Sequence, residues 1–373
     1  MHSRWGQNNQ AGDGDGDPEG SRLATVGGGW QNTAGGDFTT VAGGAGNTAG
    51  GDLATVAGGH LNSAGGAGST VGGGESNSAA GDDATVGGGG WNTAAELWAT
   101  VGGGNNNTAG GSRATVAGGS NNSAGGDWAT IAGGSENSAG GDYAAVVGGN
   151  INMAQGAYSF AIGHRAQAYN AGCFVWGDSS AADVPCNDDN RWVARATGGV
   201  YFYTNSALTS GSYLAAGGSS WNSITGRAAR QNLSPVDGRA ILEALASLPV
   251  QEYNLKGQDD SIRHVGLVAQ DFAAFGYGES DTAINMADAD GVAMAAIQAL
   301  YAENQALQAE NAGLAARVTA LEQAVQCPGF SCPESGAPAQ SGTRLSIPWL
   351  LAGGLVVAGG TLAARRRGPG GGR

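Results

Sequence analysis

The sequence predicts a mainly β protein: a Gly-rich β-solenoid of nine 15-residue repeats, a short β neck, an α+β domain ending in a coiled coil, and a C-terminal transmembrane helix. Three observations predict it. An apolar residue recurs every 15 positions from Val26 to Val146, a Gly-Gly pair begins two residues after each, and asparagine stands six residues after each. Apolar residues and asparagines step by three and four from Ile297 to Val325. Eighteen positions, 347–364, carry no charge and run straight into Arg365-Arg366-Arg367.

The composition narrows the function classes. Among 373 residues there are 71 glycines, and the net charge is -14. So much glycine without a Gly-X-Y triplet suggests low complexity, but a disordered linker has no reason to fix asparagine at one phase. The acidic balance disfavours nucleic acid and anionic lipid as main partners. Asp37, Asp52, Asp82, Asp127 and Asp142 repeat along the chain. They read as a solvated face, with ordered divalent cations as the rival reading. No cofactor and no metal site is expected.

Residues 1–20 read as a flexible leader. The run Asp13-Gly14-Asp15-Gly16-Asp17 begins like a calcium loop, but Pro18 stands where the loop needs glycine and no distal Glu follows. Nothing apolar follows Met1, so no signal peptide is visible.

Residues 21–165 form the solenoid. A period this strict marks coils that cannot bury their own cores and must stack on their neighbours. Side chains alternate along a strand, so Val26 facing inward sends Thr25 outward. The column Asn32, Asn47, Asn62, Asn77, Asn92, Asn107, Asn122, Asn137 and Asn152 is expected to be a buried amide ladder, bonding one coil to the next and satisfying turn backbone. Nine coils at strand spacing span roughly 40 Å. The threonines from Thr25 to Thr130 make an outward column that suits β-propensity, or a repetitive ligand such as ice or carbohydrate.

The cycle Ala-Thr-Val-Ala-Gly-Gly…Asn-Ser-Ala-Gly-Gly-Asp, drifting into Tyr158-Ser159-Phe160-Ala161-Ile162-Gly163, resembles the head repeats of trimeric autotransporter adhesins and haemagglutinins. The resemblance implies left-handed β-rolls associating three at a time, with a host-surface ligand. The chain departs from that family in its 15-residue unit, where 14 is usual, and in its doubled glycines.

Residues 166–220 bring aromatics (Phe174, Trp176, Trp192, Tyr201, Phe202, Tyr203) and read as a β neck. Cys173–Cys186 and Cys327–Cys332 are the local disulfide pairings, with free thiols the alternative. Zinc is disfavoured because neither pair is C-x-x-C and only His164 lies near the first.

Residues 221–292 carry Trp221-Asn222-Ser223-Ile224-Thr225-Gly226-Arg227, Arg230-Gln231-Asn232-Leu233, a helical stretch at 240–247, His264-Val265-Gly266-Leu267-Val268-Ala269-Gln270, and Asp290-Gly291-Val292 before a long helix. This order resembles the endosialidase-type intramolecular chaperone domain, a self-cleaving trimerisation tail of phage fibres, over about 100 residues. The resemblance implies a Ser-Asp nucleophile pair and an assisting Lys where this chain has Thr225-Gly226 and Arg230, and a retained histidine at His264. A threonine hydroxyl can attack in principle, but arginine stays protonated and cannot act as a base. Self-cleavage is therefore expected to be lost. An active serine/threonine-type peptidase releasing the fibre is the alternative.

Residues 293–326 are the coiled coil, with Asn304 and Asn311 at a positions, where buried amides fix register at a cost in stability. The heptads alone leave dimer and trimer open, and the two resemblances imply a homotrimer. Residues 327–345 are a linker. Residues 346–364 reach spanning length, with Trp349 at one edge, and the basic tail 365–373 places the C-terminus in the cytoplasm and the solenoid outside. Export then calls for a signal upstream of Met1. A tail-anchored cytoplasmic protein is the runner-up, but it puts the arginines on the wrong side.

Overall fold

The computed structural model describes residues 6–12, 23–224, 226–227, 230–278 and 280–325. The chain divides into two compact units, Met1–Pro235 and Val236–Arg373.

The first unit is a β-solenoid of two twelve-stranded parallel sheets, each coil giving one strand to each sheet. Through the repeats, Thr-Val pairs from Thr25–Val26 to Thr115–Val116, then Thr130–Ile131, stack in one sheet, and Thr/Ser-Ala pairs from Thr33–Ala34 to Ser138–Ala139 stack in the other. Pairing is strictly in register, as in Thr85↔Thr100 and Val86↔Val101. One step of the repeat thus keeps every apolar side chain on the core side. Val41 through Ile131, the alanine columns and the asparagines fill that core, essentially without exposure.

The doubled glycines have different duties. Gly104 has φ +89°, and a Cβ there would stand 2.2 Å from the Gly119 carbonyl oxygen of the next coil. Its neighbour Gly103 would meet nothing closer than 3.9 Å. In this coil only the second glycine is forced by geometry, whereas in others, such as Gly58 (φ +145°) and Gly73 (φ +137°), the first glycine also takes a positive φ.

Each coil of the repeats also turns two corners in the left-handed region, and nearly all of them carry residues other than glycine (Gly46 and Gly68 are exceptions), for example Trp91 (φ 53°), Trp98 (57°), Asn106 (54°) and Arg113 (61°). Such residues cost roughly 1–2 kcal/mol each in that conformation. The corner reverses the direction of the N–H. Strand amides donate to the following coil (Thr100 N to Ala114 O, 2.9 Å), whereas corner amides donate to the preceding one (Arg113 N to Leu97 O, 2.8 Å). The strain therefore recurs with a hydrogen bond between coils.

The solenoid exceeds the nine repeats at both ends. Ala166–Ala168 and Val184–Cys186 continue one sheet, and Phe174–Gly177 and Trp192–Arg195 continue the other. The expected neck at 166–220 is thus solenoid as far as residue 195. The period hides this because the steps become 14 residues (Phe160↔Phe174) and then 18 (Phe174↔Trp192). At the other end Gln10–Ala11 pairs with Thr33–Ala34, so residues 1–20 are not simply a leader. The Asp13–Asp17 run lies outside the described residues. After the last coil, Val200–Tyr203, Gly211–Leu214 and Trp221–Ser223 form a three-stranded antiparallel sheet, with Tyr201 stacked on Tyr213 at 5.2 Å.

In the second unit, helix α1 (Gly238–Ser247) starts at Asp237, whose carboxylate accepts from the Arg239 and Ala240 amides. A two-stranded antiparallel ribbon, Gln251–Tyr253 with His264–Gly266, leads to the short α2 (Ala269–Phe272). Gly276 (φ 71°) ends the following 3-10 turn. Helix α3 runs from Met286 to Val325. Ile241, Phe272, Val292, Ala295 and Ala296 form the core of this unit. Gly238 lets α1 approach α3 closely, since a Cβ there would sit 2.9 Å from Ala295 O.

Candidate functional site

The asparagine column is the most regular chemistry in the molecule. Asn32, Asn47, Asn62, Asn77, Asn92, Asn107, Asn122, Asn137 and Asn152 are all buried. Asn92 Nδ2 donates to Gly88 O at 2.8 Å in its own coil and to Gly104 O at 2.9 Å in the next. Its Oδ1 accepts the Asn107 main-chain N–H at 3.0 Å. One amide thus satisfies both glycine turns and the amide of the coil beyond, which accounts for a buried polar residue in every unit. The role is structural.

The aspartate column also has a specific role. Asp52 Oδ1 accepts from Asp37 N at 3.0 Å, Asp82 from Ala67 N at 2.9 Å, Asp127 from Ser112 N at 3.0 Å, and Asp142 from Asp127 N at 3.1 Å. These carboxylates pin the preceding coil. Among the described residues no group of three or more His, Cys, Asp or Glu could hold a metal ion.

The last coils are locked by a covalent and an ionic element. Cys173 and Cys186 form a disulfide. Arg195 Nε donates to Asp178 Oδ1 at 2.8 Å, and its guanidinium also reaches the Ser180 and Ala182 carbonyls. The Thr197 hydroxyl and amide, then Arg195, hold the Asp178 carboxyl far below the usual carboxylate range. Cys327 and Cys332 lie outside the described residues.

Of the positions tied to self-cleavage, Gly226, Arg230 and His264 are among the described residues. Thr225 lies outside the described residues. Arg230 is exposed, in the first unit, and its amide donates to Arg227 O at 3.2 Å. His264 is half-buried in the ribbon of the second unit. Its Nε2–H donates to Gln258 Oε1 at 2.9 Å, and that oxygen also accepts from Leu255 N at 3.3 Å. An amide oxygen only accepts, so Nε2 carries the proton. The ring also lies 5.5 Å from Tyr253. His264 therefore holds the 254–263 loop. In the same loop the Ser261 hydroxyl and amide lower the Asp259 carboxyl below its ordinary value.

On α3 the residues Ile297, Leu300, Leu307, Leu314, Val318 and Leu321 are all exposed, Ile297 and Leu321 each by 65%. Asn304 and Asn311 lie on the same line and are exposed. Asn304 Oδ1 accepts from Gln308 Nε2 at 2.8 Å. No helix among the described residues is long and apolar enough to cross a membrane. The span expected at 346–364 lies outside them.

Sequence reading overlooked an edge of the solenoid. Trp98, Arg113, Trp128, Tyr143 and Tyr158 share one left-handed corner in successive coils. Their spacing of 15 is visible in the sequence, but the chemical variety of the column conceals it.

In comparison with known families, a family described as chaperone of endosialidase matches residues 227–277. The match covers Arg230, α1, the ribbon with His264 and α2, and it begins just after Thr225-Gly226. No curated protein matches the chain.

Proposed function

We propose that this chain is one third of a parallel homotrimeric surface fibre of adhesin-like type, in which the chaperone domain and α3 bring three copies into register. The α3 seam carries this reading. A 40-residue helix that leaves six large aliphatic side chains exposed at heptad spacing has not buried its apolar face within one chain. Burial of each contributes about 1.5–3 kcal/mol. The solenoid supplies a stiff, repetitive body, and the chaperone-of-endosialidase match at 227–277 supports an assembly role next to the seam.

In this proposal the fibre stays attached. Residues 346–364 anchor it, the arginine tail remains cytoplasmic, and the solenoid lies outside the cell. The chaperone does not cut itself, because Gly226 and Arg230 replace the acidic and basic partners of the resembled nucleophile.

Replacing Leu307 and Leu314 together with Asp tests the seam. Sedimentation of this variant is expected to show single chains while the solenoid keeps its β circular dichroism. An unchanged assembly would place the contacts between chains elsewhere.

A further inference from the structure

The corner column of large side chains ends abruptly, and its end is shaped like a binding notch. The Arg113 guanidinium lies between the Trp98 and Trp128 rings, at 4.2 and 4.8 Å. Trp128 stacks on Tyr143 at 6.2 Å, and Tyr143 on Tyr158 at 5.1 Å with 4° between planes. Inside the column each ring face is covered by a neighbour. The next coil places Gly172 at the same corner (φ +66°). Its amide donates to Ala157 O as that of Tyr158 donates to Asp142 O. Glycine has no side chain, so the outer face of Tyr158 is left bare. Exposure records the break: 46% at Trp98, 49% at Trp128, 51% at Tyr143 and 70% at Tyr158.

One coil further on, Asn190 takes the corner, its amide donating to Ala171 O. Its Oδ1 leans to 2.4 Å from where a Gly172 Cβ would stand. The gap is therefore bounded by an aromatic face on one side and a carboxamide on the other. Asp189, next to Asn190, is exposed and accepts from Asn170 Nδ2 at 3.2 Å. Two residues beyond Gly172, Phe174 is exposed and stacks on Phe160 at 4.7 Å, and Trp192 pairs with it in the following strand.

We infer that the Tyr158–Gly172–Asn190 notch binds a neutral hexopyranose unit of a polysaccharide. The C–H face of a pyranose lies on a bare aromatic ring, and its rim hydroxyls pair with a carboxamide and a carboxylate. An apolar partner would strip water from the exposed Asn190 carboxamide without replacing its hydrogen bonds. A nucleobase would also stack, but Arg191 is already paired with Asp188 at 2.8 Å, so its phosphates would meet Asp189 on a chain of net charge -14. The inference stands on the solenoid alone and is independent of the number of chains.

The full chain is incubated with beads of cellulose, chitin, cross-linked dextran and agarose. Retention is expected on at least one, displaced by the soluble sugar of that polymer. Tyr158→Ala removes the stacking face. Gly172→Asn puts a side chain into the notch at a corner that Asn tolerates, and its Cβ, 2.4 Å from the position of Asn190 Oδ1, also displaces that carboxamide. Each is expected to cut retention at least tenfold, Tyr158→Ala with an unchanged melting curve, while Phe38→Ala, far from the notch, retains fully. Retention on none of the four beads, or equal retention by both variants, overturns the inference. A change in assembly mass on Tyr158→Ala without any bead binding also overturns it, and makes the patch an interface between copies.

Discussion

Asn47 Oδ1 accepts the main-chain N–H of Asn62 at 3.0 Å, one coil away, while Asn47 Nδ2 spans the glycine turns of its own coil and the next. Repeated from coil to coil, this bond makes the asparagine column a continuous seam through the core. Replacing Asn92 with Leu removes the acceptor of Asn107 N and the donor to Gly88 O and Gly104 O. Each buried group left unpaired costs about 1–3 kcal/mol. Thr85→Ser, on the half-buried outer side, is expected to cost well under that. Equal melting temperatures for the two variants would contradict the seam.

The glycine pair gives a sharper contrast. Gly104→Ala drives a Cβ toward the Gly119 carbonyl at a positive φ and is expected to lower the melting temperature by several degrees or prevent folding. Gly103→Ala, one residue away, meets open space and is expected to be nearly neutral. Thermal melts of the pair check this.

Acid is expected to loosen the C-terminal coils first. The folded Asp178 carboxyl titrates below its unfolded value, so its contribution is complete above the ordinary carboxylate range and is lost as pH falls through about 4 toward the folded value. Hydrogen-exchange protection at Trp192–Arg195, each rate taken relative to that of an unstructured peptide at the same pH, should fall between pH 6 and pH 3 in the native protein. Asp178→Asn should start with faster exchange at pH 6 and show less of this pH dependence.

Self-cleavage is expected to be absent. A denaturing gel of the expressed protein should show the full-length chain. Fragments splitting between Ile224 and Thr225 would make Thr225 an active nucleophile. The matching gain-of-function variant places Ser, Asp and Lys at positions 225, 226 and 230. If it stays intact while assembled, the correspondence drawn for those positions is wrong.

The solenoid could be read in the sequence because Val26 through Val146 and the paired glycines hold one phase, and a one-residue slip would turn the core outward. Other parts escaped for physical reasons. The steps from Phe160 to Phe174 and to Trp192 change length, so a fixed period loses two coils that the hydrogen bonds keep. Left-handed corners at Trp98, Arg113 and Tyr143 run against backbone preference, and no propensity announces them. The aspartate column looked like a solvated face, because a carboxylate bonded to an amide 15 residues earlier leaves no local signature. His264 was visible as a residue, but its bond to Gln258 depends on how the 254–263 loop folds back.

Asn304 and Asn311 set a further expectation for the seam. In the proposed trimer, where both would be buried, replacing them with Ile should raise thermal stability and loosen register, because buried amides at a positions trade stability for specificity. Disulfide trapping with a cysteine at Leu307, a d position of the seam, reads register directly: in-register cross-links in the parent should give way to a mixture in the double variant.

The assembly itself is the central claim, and mass measurement tests it most directly. Multi-angle light scattering on a protein lacking residues 346–373, with intact-mass analysis of the same sample, reports oligomer state and cleavage together. A parallel homotrimer has three times the mass of one uncut chain. A mass of one or two chains would contradict it.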